Sequence, residues 1–314
     1  MEAPAVSISR DLLAAQSERL VGLDPLLPRV HALPPGDVVT AGLSDGRLVA
    51  GVLLRSENGP GMVPSLWSAR QAHEMFPLVG DAGPEGVDAL LRVWRQRLER
   101  LGPPNPDSSC VVTWPSRDAT VTRVLLDHGL VPLSVLAVRL APPPAAMTVP
   151  DGLLIRRATP ADLDAVHGLA MAELRYSALV GGAMVRPDAG SLKRGMLRSR
   201  LLAGDPVWLA EREGVTVAMA ECGWSDPDPD SWAVRLPPGR WAYVNCVSVL
   251  PGARGRGVGR QLMDAVHTRL ATTGAAGTYL YYNPPNPLSS VFWPRQGYRP
   301  LWTVWEVRPA DALR

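Results

Sequence analysis

Apolar and polar residues follow regular spacings through the second half of the chain, from about residue 152 to residue 308. Alternating apolar runs predict strands at 153–157, 206–212, 215–224, 241–250, 277–282 and 300–308. Helical spacing predicts helices at 161–175, 191–202, 259–273 and 287–296. A glycine-rich turn and a helix join the strands at 241–250 and 277–282, which makes these two strands parallel neighbours. The pattern therefore predicts an α/β (α+β) fold with a mixed, mostly antiparallel sheet and flanking helices.

The first half of the chain repeats this pattern in weaker form. Segments 37–52, 90–102 and 128–140 resemble segments 205–220, 262–274 and 296–309, in the same order and at a nearly constant spacing. Three matches in order indicate a tandem duplication. Residues 141–151 are rich in proline and alanine and predict a stiff linker. We therefore expect two domains, at residues 1–140 and 152–314.

Charge and composition exclude several classes of function. The 32 basic and 30 acidic residues leave a net charge of +2, which gives no reason to expect nucleic acid or an anionic membrane as partner. We find neither a secretory signal nor an apolar run of membrane-spanning length. The three cysteines are isolated and lack metal-ligand spacing, so we expect no metal site. We expect a cytoplasmic protein, a monomer or homodimer, whose partner is a small molecule.

A glycine-rich turn carries the first chemical signal. Residues 254–260 read Arg-Gly-Arg-Gly-Val-Gly-Arg and lie between a predicted strand and a predicted helix. Successive glycine N–H groups, the helix N-terminus and the arginines together suit a pyrophosphate. The turn lacks the Gly-Lys-Ser/Thr of a nucleotide P-loop. Its GxGxG spacing, with no acidic residue about 20 positions further on, argues against a dinucleotide fold. An ordinary strand-to-helix turn is the remaining alternative.

A second signal follows the next strand. Asn286 is followed by Ser289, Trp293, Gly297 and Tyr298 at spacings of 3, 7, 11 and 12 residues. Asn before proline predicts a helix start, and Gly297 suits the left-handed position after a helix. This motif, and the Arg-x-x-Gly-x-Gly of residues 254–259, are typical of the GNAT acyltransferase superfamily. The chain resembles a tandem, two-domain member of that superfamily.

The resemblance implies how an acyl-CoA cofactor binds, with an acetyl or longer acyl group and with no metal. The central parallel strands of the tandem GNAT fold splay apart, and pantetheine lies in the gap. The N–H of Val247 polarises the thioester carbonyl, an oxyanion-hole role. The residues that the resemblance assigns to the cofactor are Val247, Val249, Arg254, Gly255, Arg256, Gly257, Val258, Gly259, Arg260, Asn286, Ser289 and Trp293. The acceptor amine attacks the thioester directly.

The positions of the acid and the base depart from the family pattern. Trp293 stands where the family commonly carries a tyrosine that protonates the CoA thiolate, and indole is not a useful proton donor. Either the thiolate leaves unprotonated, or Tyr282 or Ser290 helps, while Trp293 packs on pantetheine or in the core. For the base we name Glu221 and Tyr243, acting through water. The alternative for Glu221 is a solvated charge at a strand end.

The first half has lost the features that would hold a cofactor. Aligned with residues 254–259, its turn has Ala82 for the arginine and Glu85 and Val87 for the two signature glycines, while Pro84 removes a donor. Asp118 and Leu125 stand where the second half has Asn286 and Trp293. A carboxylate repels a pyrophosphate. We therefore expect one acyl-CoA site, in the second half, and a degenerate first half that braces it or walls the acceptor cleft.

The acceptor is indicated only by one long loop, residues 223–241, which carries three tryptophans and three aspartates. Aromatic faces and carboxylates suit a cationic acceptor such as an amino sugar or an aminated natural product. Two-domain chains of this kind resemble two actinobacterial types: mycothiol synthase, and the N-acyltransferases that modify glycopeptide antibiotics. The alternative interpretation is that these residues form an ordinary solvated surface loop. A non-catalytic acyl-CoA-binding or sensory module is the alternative function.

Overall fold

The structure is a computed structural model that describes residues 8–102, 105–140 and 152–314; the predicted linker, 141–151, lies outside them. Within these ranges, eleven strands form one mixed sheet. The strands are β1 Asp37–Gly42, β2 Leu48–Glu57, β3 Gln71–Leu78, β4 Ser108–Pro115, β5 Val131–Leu140, β6 Leu154–Arg157, β7 Val207–Arg212, β8 Val215–Ser225, β9 Trp241–Val249, β10 Gly277–Tyr282 and β11 Arg299–Val307. The α-helices are α1 Arg10–Leu23, α2 Gly83–Arg100, α3 Ala119–Asp127, α4 Leu163–Leu179, α5 Ala189–Leu202, α6 Val258–Ala271 and α7 Ser289–Arg295. The predicted mixed sheet with flanking helices is confirmed.

The two halves exchange their last strands. The sheet order is β1-β2-β3-β4-β11-β5-β10-β9-β8-β7-β6, so β11 pairs with β4 of the first half and β5 pairs with β10 of the second. Strands β5 and β11 also pair with each other, antiparallel. The sequence predicts a separate sheet for each half, and that detail is wrong. Each final strand instead completes the hydrogen bonding of the other half, which leaves neither β4 nor β10 as an exposed edge.

The two parallel strand pairs differ in how far they stay together. The predicted pair β9 and β10 is confirmed, but it extends only from Trp241–Gly277 to Tyr243–Tyr279, and then the strands diverge. In the first half, β3 and β4 stay paired over five positions, from Gln71–Ser108 to Met75–Val112. The second half therefore has an open gap between its central strands.

A bulge at Asn245 changes the side-chain alternation of β9 at this gap. Cys222 of β8 pairs with Val244, and its neighbour Glu221 pairs with Cys246, so Asn245 is the extra residue. Val244 and Val247 consequently face the same side of the sheet, although three residues separate them. Cys246 faces the opposite side.

Helices cover both faces of the sheet. Helix α6 packs Leu262 and Val266 on one face of the second half, in the cluster that includes Val244. Helices α4 and α5 pack Leu169 and Leu197 on the other face, together with Cys246. None of the helices in the described ranges is long and apolar enough to span a bilayer.

Candidate active site

A cleft of about 540 Å³ opens where β9 leaves β10. Val247 and Phe292 line it on the α6 side of the sheet. Glu173 of α4 and Cys246 line it on the opposite side. The cleft therefore reaches both faces of the sheet through the gap between the two strands.

The glycine turn forms one end of this cleft. Gly255 and Gly257 have φ values of +74° and +77°, in the left-handed region that glycine adopts without strain. Gly257 immediately precedes α6 and has no side chain to cap that helix. The N–H groups of Val258, Gly259 and Arg260 have no partners within the helix, and these three residues line the cleft. This end of the cleft thus has the donors and the helix dipole that favour an anion.

The backbone of β9 presents hydrogen-bonding groups to the cleft. The N–H of Leu250 donates to the carbonyl of Val217 on the β8 side, at 2.9 Å. Because backbone groups alternate in direction along an antiparallel strand, those of Val249 and Val247 point towards the gap. The carbonyl of Val249 accepts a bond from Arg254 Nε at 3.0 Å.

The cleft is lined by nearly all residues that the sequence assigns to acyl-CoA, which are Val247, Val249, Arg254, Gly255, Gly257, Val258, Gly259, Arg260, Asn286, Ser289 and Trp293. The exception is Arg256, whose side chain is exposed outside the cleft. The Arg254 guanidinium lies 5.4 Å from the ring centroid of Tyr176 on α4, so it bridges the two sides of the cleft mouth.

The second motif forms the wall opposite β9. Asn286 Oδ1 accepts bonds from the N–H groups of Leu288 at 2.9 Å and Ser289 at 3.2 Å, and so caps the entry to α7. Gly297 follows this helix with a φ of +84°, as predicted. Trp293 is 8% exposed and packs edge-on against Tyr298, with ring centroids 5.3 Å apart. Trp293 is thus both a core residue and part of the cleft wall.

Comparison with known proteins agrees with this geometry. Residues 203–300, which include β9, the glycine turn and β10, match the family model for the acetyltransferase (GNAT) domain. The matched segment, residues 203–300, carries a GNAT acetyltransferase domain. This is the superfamily that the two motifs indicate, and their recognition from the sequence is confirmed.

One solved structure extends the likeness in fold to nearly the whole chain. A GCN5-related N-acetyltransferase from Sphaerobacter thermophilus is 17% identical, with a TM-score of 0.59 over 95% of this chain and 91% of that one. One from Kribbella flavida is also 17% identical, with a TM-score of 0.43 over 96% and 95%. An acetyltransferase with acetyl-CoA from Clostridium acetobutylicum is 17% identical, with a TM-score of 0.38 over 47% and 90%. The first of these shows that the fold of a GNAT structure spans both halves.

Glu221 lies outside the cleft of the GNAT domain. Its side chain is fully buried between the sheet and α5. Arg200 Nη1 donates to Glu221 Oε1 at 2.7 Å, and Lys193 Nζ lies 4.0 Å from Oε2. The interpretation of Glu221 as a solvated charge at a strand end is therefore wrong.

Tyr243 also lies outside the cleft lining. Its ring stacks on that of Tyr279 with centroids 4.8 Å apart, and it meets the Tyr281 ring edge-on at 6.4 Å. Burial raises the pKa of Tyr243 well above its ordinary value. Its hydroxyl therefore stays protonated near neutral pH, which does not suit the predicted role as a base.

The structure places a carboxyl in the cleft that the sequence did not single out, that of Glu173. Ser177 Oγ donates to Glu173 Oε1 at 2.5 Å, and Cys246 Sγ donates to Oε2 at 3.8 Å. Burial raises the pKa of Glu173. In the sequence, Glu173 is one polar position of a predicted helix, and only the packing of α4 on β9 reveals its environment.

The long loop does not bring its aromatic residues to the cleft. Trp224 lies under the Arg240 guanidinium, 4.2 Å from ring centroid to Cζ, and Trp241 is buried in the core. The loop aspartates, such as Asp228, are exposed to solvent. The loop tryptophans and aspartates, which the sequence suggested for a cationic acceptor, therefore do not line this cleft. The loop instead packs on the sheet, where Trp302 Nε1 donates to the carbonyl of Arg235 at 2.8 Å.

The equivalent turn of the first half is covered by α1. Gln16 Oε1 accepts bonds from the N–H groups of Val79 and Gly80, each at 3.0 Å. A Cβ atom on Gly80 would come within 2.9 Å of the Ala15 Cβ, which shows how closely α1 approaches. Arg19 extends from the same helix to Asp118, at 2.5 Å. Protein groups thus occupy the donors that the second half leaves open to its cleft.

Proposed function

We propose that the chain is an acyl-CoA-dependent N-acyltransferase that moves an acetyl or longer acyl group to an amine of a small molecule. The observation that carries this proposal is the cleft between β9 and β10, which has the glycine turn at one end and the Val247 backbone in its wall. Such a gap accepts an extended chain that hydrogen-bonds like an added strand, and a turn of this kind accepts the pyrophosphate at its end.

Acyl-CoA binds to two parts of the cleft, the glycine turn and the backbone of β9. The pyrophosphate lies on the backbone of residues 255–260, between Arg254 and Arg260. Pantetheine runs along β9 and bonds to Val249 and Val247. The Val249 carbonyl already accepts from Arg254, but a carbonyl has two lone pairs and can accept a second bond from a pantetheine amide.

The chemistry needs one group that stabilises the developing oxyanion. The N–H of Val247 points to the gap and donates to the thioester oxygen there, which gains negative charge when the amine attacks. A covalent intermediate on Cys246 is disfavoured, because burial raises the pKa of that thiol well above its ordinary value. The acceptor therefore attacks the thioester directly.

The CoA thiolate leaves beside Trp293, whose indole is not a useful proton donor. The phenol of Tyr282 lines the same cleft, and burial raises its pKa above the ordinary value. It is therefore a neutral O–H at the pH of reaction and can serve as the acid in place of the missing tyrosine.

The acceptor approaches from the side of α4, because the glycine turn and α6 hold the cofactor on the other side of the sheet. Tyr281 is 44% exposed and lines the cleft, as does Tyr176 of α4, whereas Tyr243, in edge contact with Tyr281, lies behind the lining. Two aromatic rings in a cleft of this size suit a small molecule that carries a ring or a cation near its amine.

Release of CoA thiol tests the proposal. The protein is titrated with acetyl-CoA by calorimetry and is then assayed with acetyl-CoA and a panel of amines: an amino sugar, an aminoglycoside, an aromatic amine and an α-amino thiol. Thiol release that depends on both the protein and an amine supports the transferase. Binding of acetyl-CoA without thiol release from any amine indicates the sensory module instead.

A further inference from the structure

We propose that the Glu173 carboxylate is the base that takes the proton of the acceptor amine, an inference that rests on the proposed function. Three observations carry it: the position of Glu173 in the cleft, the groups that surround its carboxyl, and the placement of the two residues that the sequence suggested as bases.

Glu173 lies in the cleft, on the side of the sheet from which the acceptor comes. Among the residues of the described chain that line the cleft, Glu173 is the single carboxylate, and histidine is absent from them. Helix α4 lies on the face of the sheet opposite to α6, which is the acceptor side. The Glu173 carboxyl contacts Cys246, and Cys246 directly precedes Val247, whose N–H faces the thioester. The base is thus next to the point of attack, on the side from which the amine comes.

The second observation concerns the surroundings of the carboxyl. The charged and titratable groups that face it are Lys193 of α5, Glu221 of β8 and Cys246 of β9, and Ser177 bonds to it from α4. Burial and Glu221 disfavour its negative charge, whereas Ser177 and Lys193 favour it, and the balance raises the pKa of Glu173. A carboxyl whose pKa lies closer to neutral is a stronger base than an ordinary one, and Ser177 fixes its orientation.

The two residues that the sequence suggested as bases, Glu221 and Tyr243, are not placed to act as one. Glu221 is fully buried, is paired with Arg200 and does not line the cleft, so an amine in the cleft does not meet its carboxylate. Tyr243 stays protonated, because burial raises the pKa of its phenol. Among the described residues that line the cleft, Glu173 is therefore the group whose position and carboxyl chemistry suit it to accept a proton.

One C–N bond forms and one C–S bond breaks in the transfer. The amine lone pair forms the new C–N bond at the thioester carbon, and the C–S bond breaks with its electron pair leaving on sulfur as CoA thiolate. The nitrogen becomes positively charged on attack and gives one proton to Glu173. The neutral carboxylic acid returns that proton to solvent when the products leave.

Substitution by a neutral isostere tests the role. Wild type, Glu173→Gln, Glu173→Ala and the control Asp164→Asn are assayed for CoA thiol release from acetyl-CoA, with each amine of the panel and with water as the acceptor. Asp164 lies on the same helix, with an exposed side chain outside the cleft. We expect Glu173→Gln to lower turnover about 100-fold or more with an unchanged acetyl-CoA Kd. The acidic limb of the pH–rate profile should disappear, formate should partly restore Glu173→Ala, and Asp164→Asn should behave as wild type.

Folding of the variant is checked by urea unfolding between pH 4 and pH 8. Because the pKa of Glu173 is raised in the folded state, ionisation destabilises the fold as the pH rises above the ordinary carboxyl value. Glu173→Gln, which cannot ionise, should therefore gain stability relative to wild type over this range.

Two outcomes overturn the inference. If wild type is active and Glu173→Gln keeps turnover within about tenfold with the same pH limb, the base role is wrong and the transferase stands. A purely positional role for Glu173 would leave that limb in place and would give no rescue by formate. If wild type binds acetyl-CoA but releases no thiol with any amine or with water, the proposed function fails and the base role fails with it.

Discussion

The turn between β9 and α6 spans residues 250–257, whereas the equivalent turn between β3 and α2 spans only residues 79–82. In the longer turn, two glycines in the left-handed region lead into a helix whose first N–H groups face a cleft. In the shorter turn, the side chain of Gln16 accepts bonds from the backbone N–H groups of Val79 and Gly80. The same place in the fold therefore opens on a cleft in one half and is a packing surface in the other.

The first half differs from the second in more than its glycines. Helix α1 has taken the space, and its Arg19 pairs with Asp118, which stands where the second half has the cap Asn286. The strands beneath stay paired over five positions instead of diverging after three. Charge, donors and space have all been used within the protein, so a single substitution cannot restore a cofactor site there.

We expect the largest effect at Gly257, which directly precedes α6 in the turn that opens on the cleft. Gly257→Glu places a carboxylate at the end of the cleft and forces a left-handed φ of +77° on a residue with a side chain. We expect acetyl-CoA binding and turnover to fall below detection by calorimetry and thiol release. Gly257→Ala shares the backbone strain without the charge, so it should retain weaker binding.

The reverse change in the first half should leave the cofactor site unchanged. Glu85 is exposed and accepts a bond from Ser44 Oγ at 2.9 Å, far from any open donor set. Glu85→Gly should keep a stoichiometry of one acetyl-CoA per chain with the wild-type Kd. A stoichiometry of two in wild type, or binding that survives Gly257→Glu, would show that the first half also holds cofactor.

The next largest effect concerns the ion pair between Arg19 and Asp118 in the first half. Arg19→Ala leaves the buried Asp118 carboxylate without its cation, and we expect a loss of about 2 kcal/mol in the free energy of unfolding at pH 7. Burial raises the pKa of Asp118, but its bonds from Arg19, Thr120 and Trp114 outweigh this and lower the pKa below 3.8. The stabilisation is therefore present at neutral pH and is lost as the pH falls through the lowered folded-state value.

Urea unfolding of wild type and Arg19→Ala at pH 7 and in acid measures this difference. The acetyl-CoA Kd should not change, since Arg19 lies outside the open cleft. Equal stability of the two proteins at pH 7 would mean that Asp118 is satisfied by its remaining donors, and that α1 is not held by charge.

Asn286, the counterpart of Asp118 in the second half, should contribute less to the free energy of unfolding. Asn286→Ala removes a neutral cap on the N–H groups of Leu288 and Ser289, which we expect to cost about 1 kcal/mol in the free energy of unfolding. Because Asn286 lines the cleft, acetyl-CoA affinity should also fall, unlike in Arg19→Ala. An affinity equal to that of wild type would limit Asn286 to a structural role.

The smallest effect is expected at Trp293. Trp293→Phe should lower kcat by less than about tenfold, because an indole donates no proton to the thiolate, whereas loss of a true acid costs about 100-fold or more. The measurement is kcat with the acetyl-CoA Kd determined in parallel. A fall beyond a hundredfold at unchanged Kd would place Trp293 in contact with the reacting atoms.

The elements around the cleft were predictable because local signals determine them. The parallel strand pair follows from the chain order of strand, glycine turn, helix and strand, and the start of α7 follows from Asn286 before Pro287. The glycines at 255 and 257 follow from a turn that needs left-handed φ values. Each of these rests on residues close together in the sequence, so no tertiary information is needed.

What was not predictable depends on contacts between distant segments. Strands β5 and β11 have similar apolar patterns, so the sequence does not show which half each one joins. Glu173 becomes a cleft residue only because α4 packs on the bulged part of β9, and Glu221 becomes buried only through Arg200 and Lys193. Gln16 looks like any polar helix position until α1 meets the turn at Val79.

The exchange of β5 and β11 has consequences for how the two halves can differ in sequence and for how the chain responds to proteolysis. The arrangement of strands about the β5–β11 pair is that of two protomers that swap their last strands, here joined in one polypeptide. Covalent joining lets the two halves differ in sequence, since a substitution in one half is not repeated in the other, so α1 can cover the turn of one half while the turn of the other stays open to a cleft. It also makes the halves inseparable, because a proteolytic cut that releases either half strips a strand from the other and exposes an edge that invites aggregation.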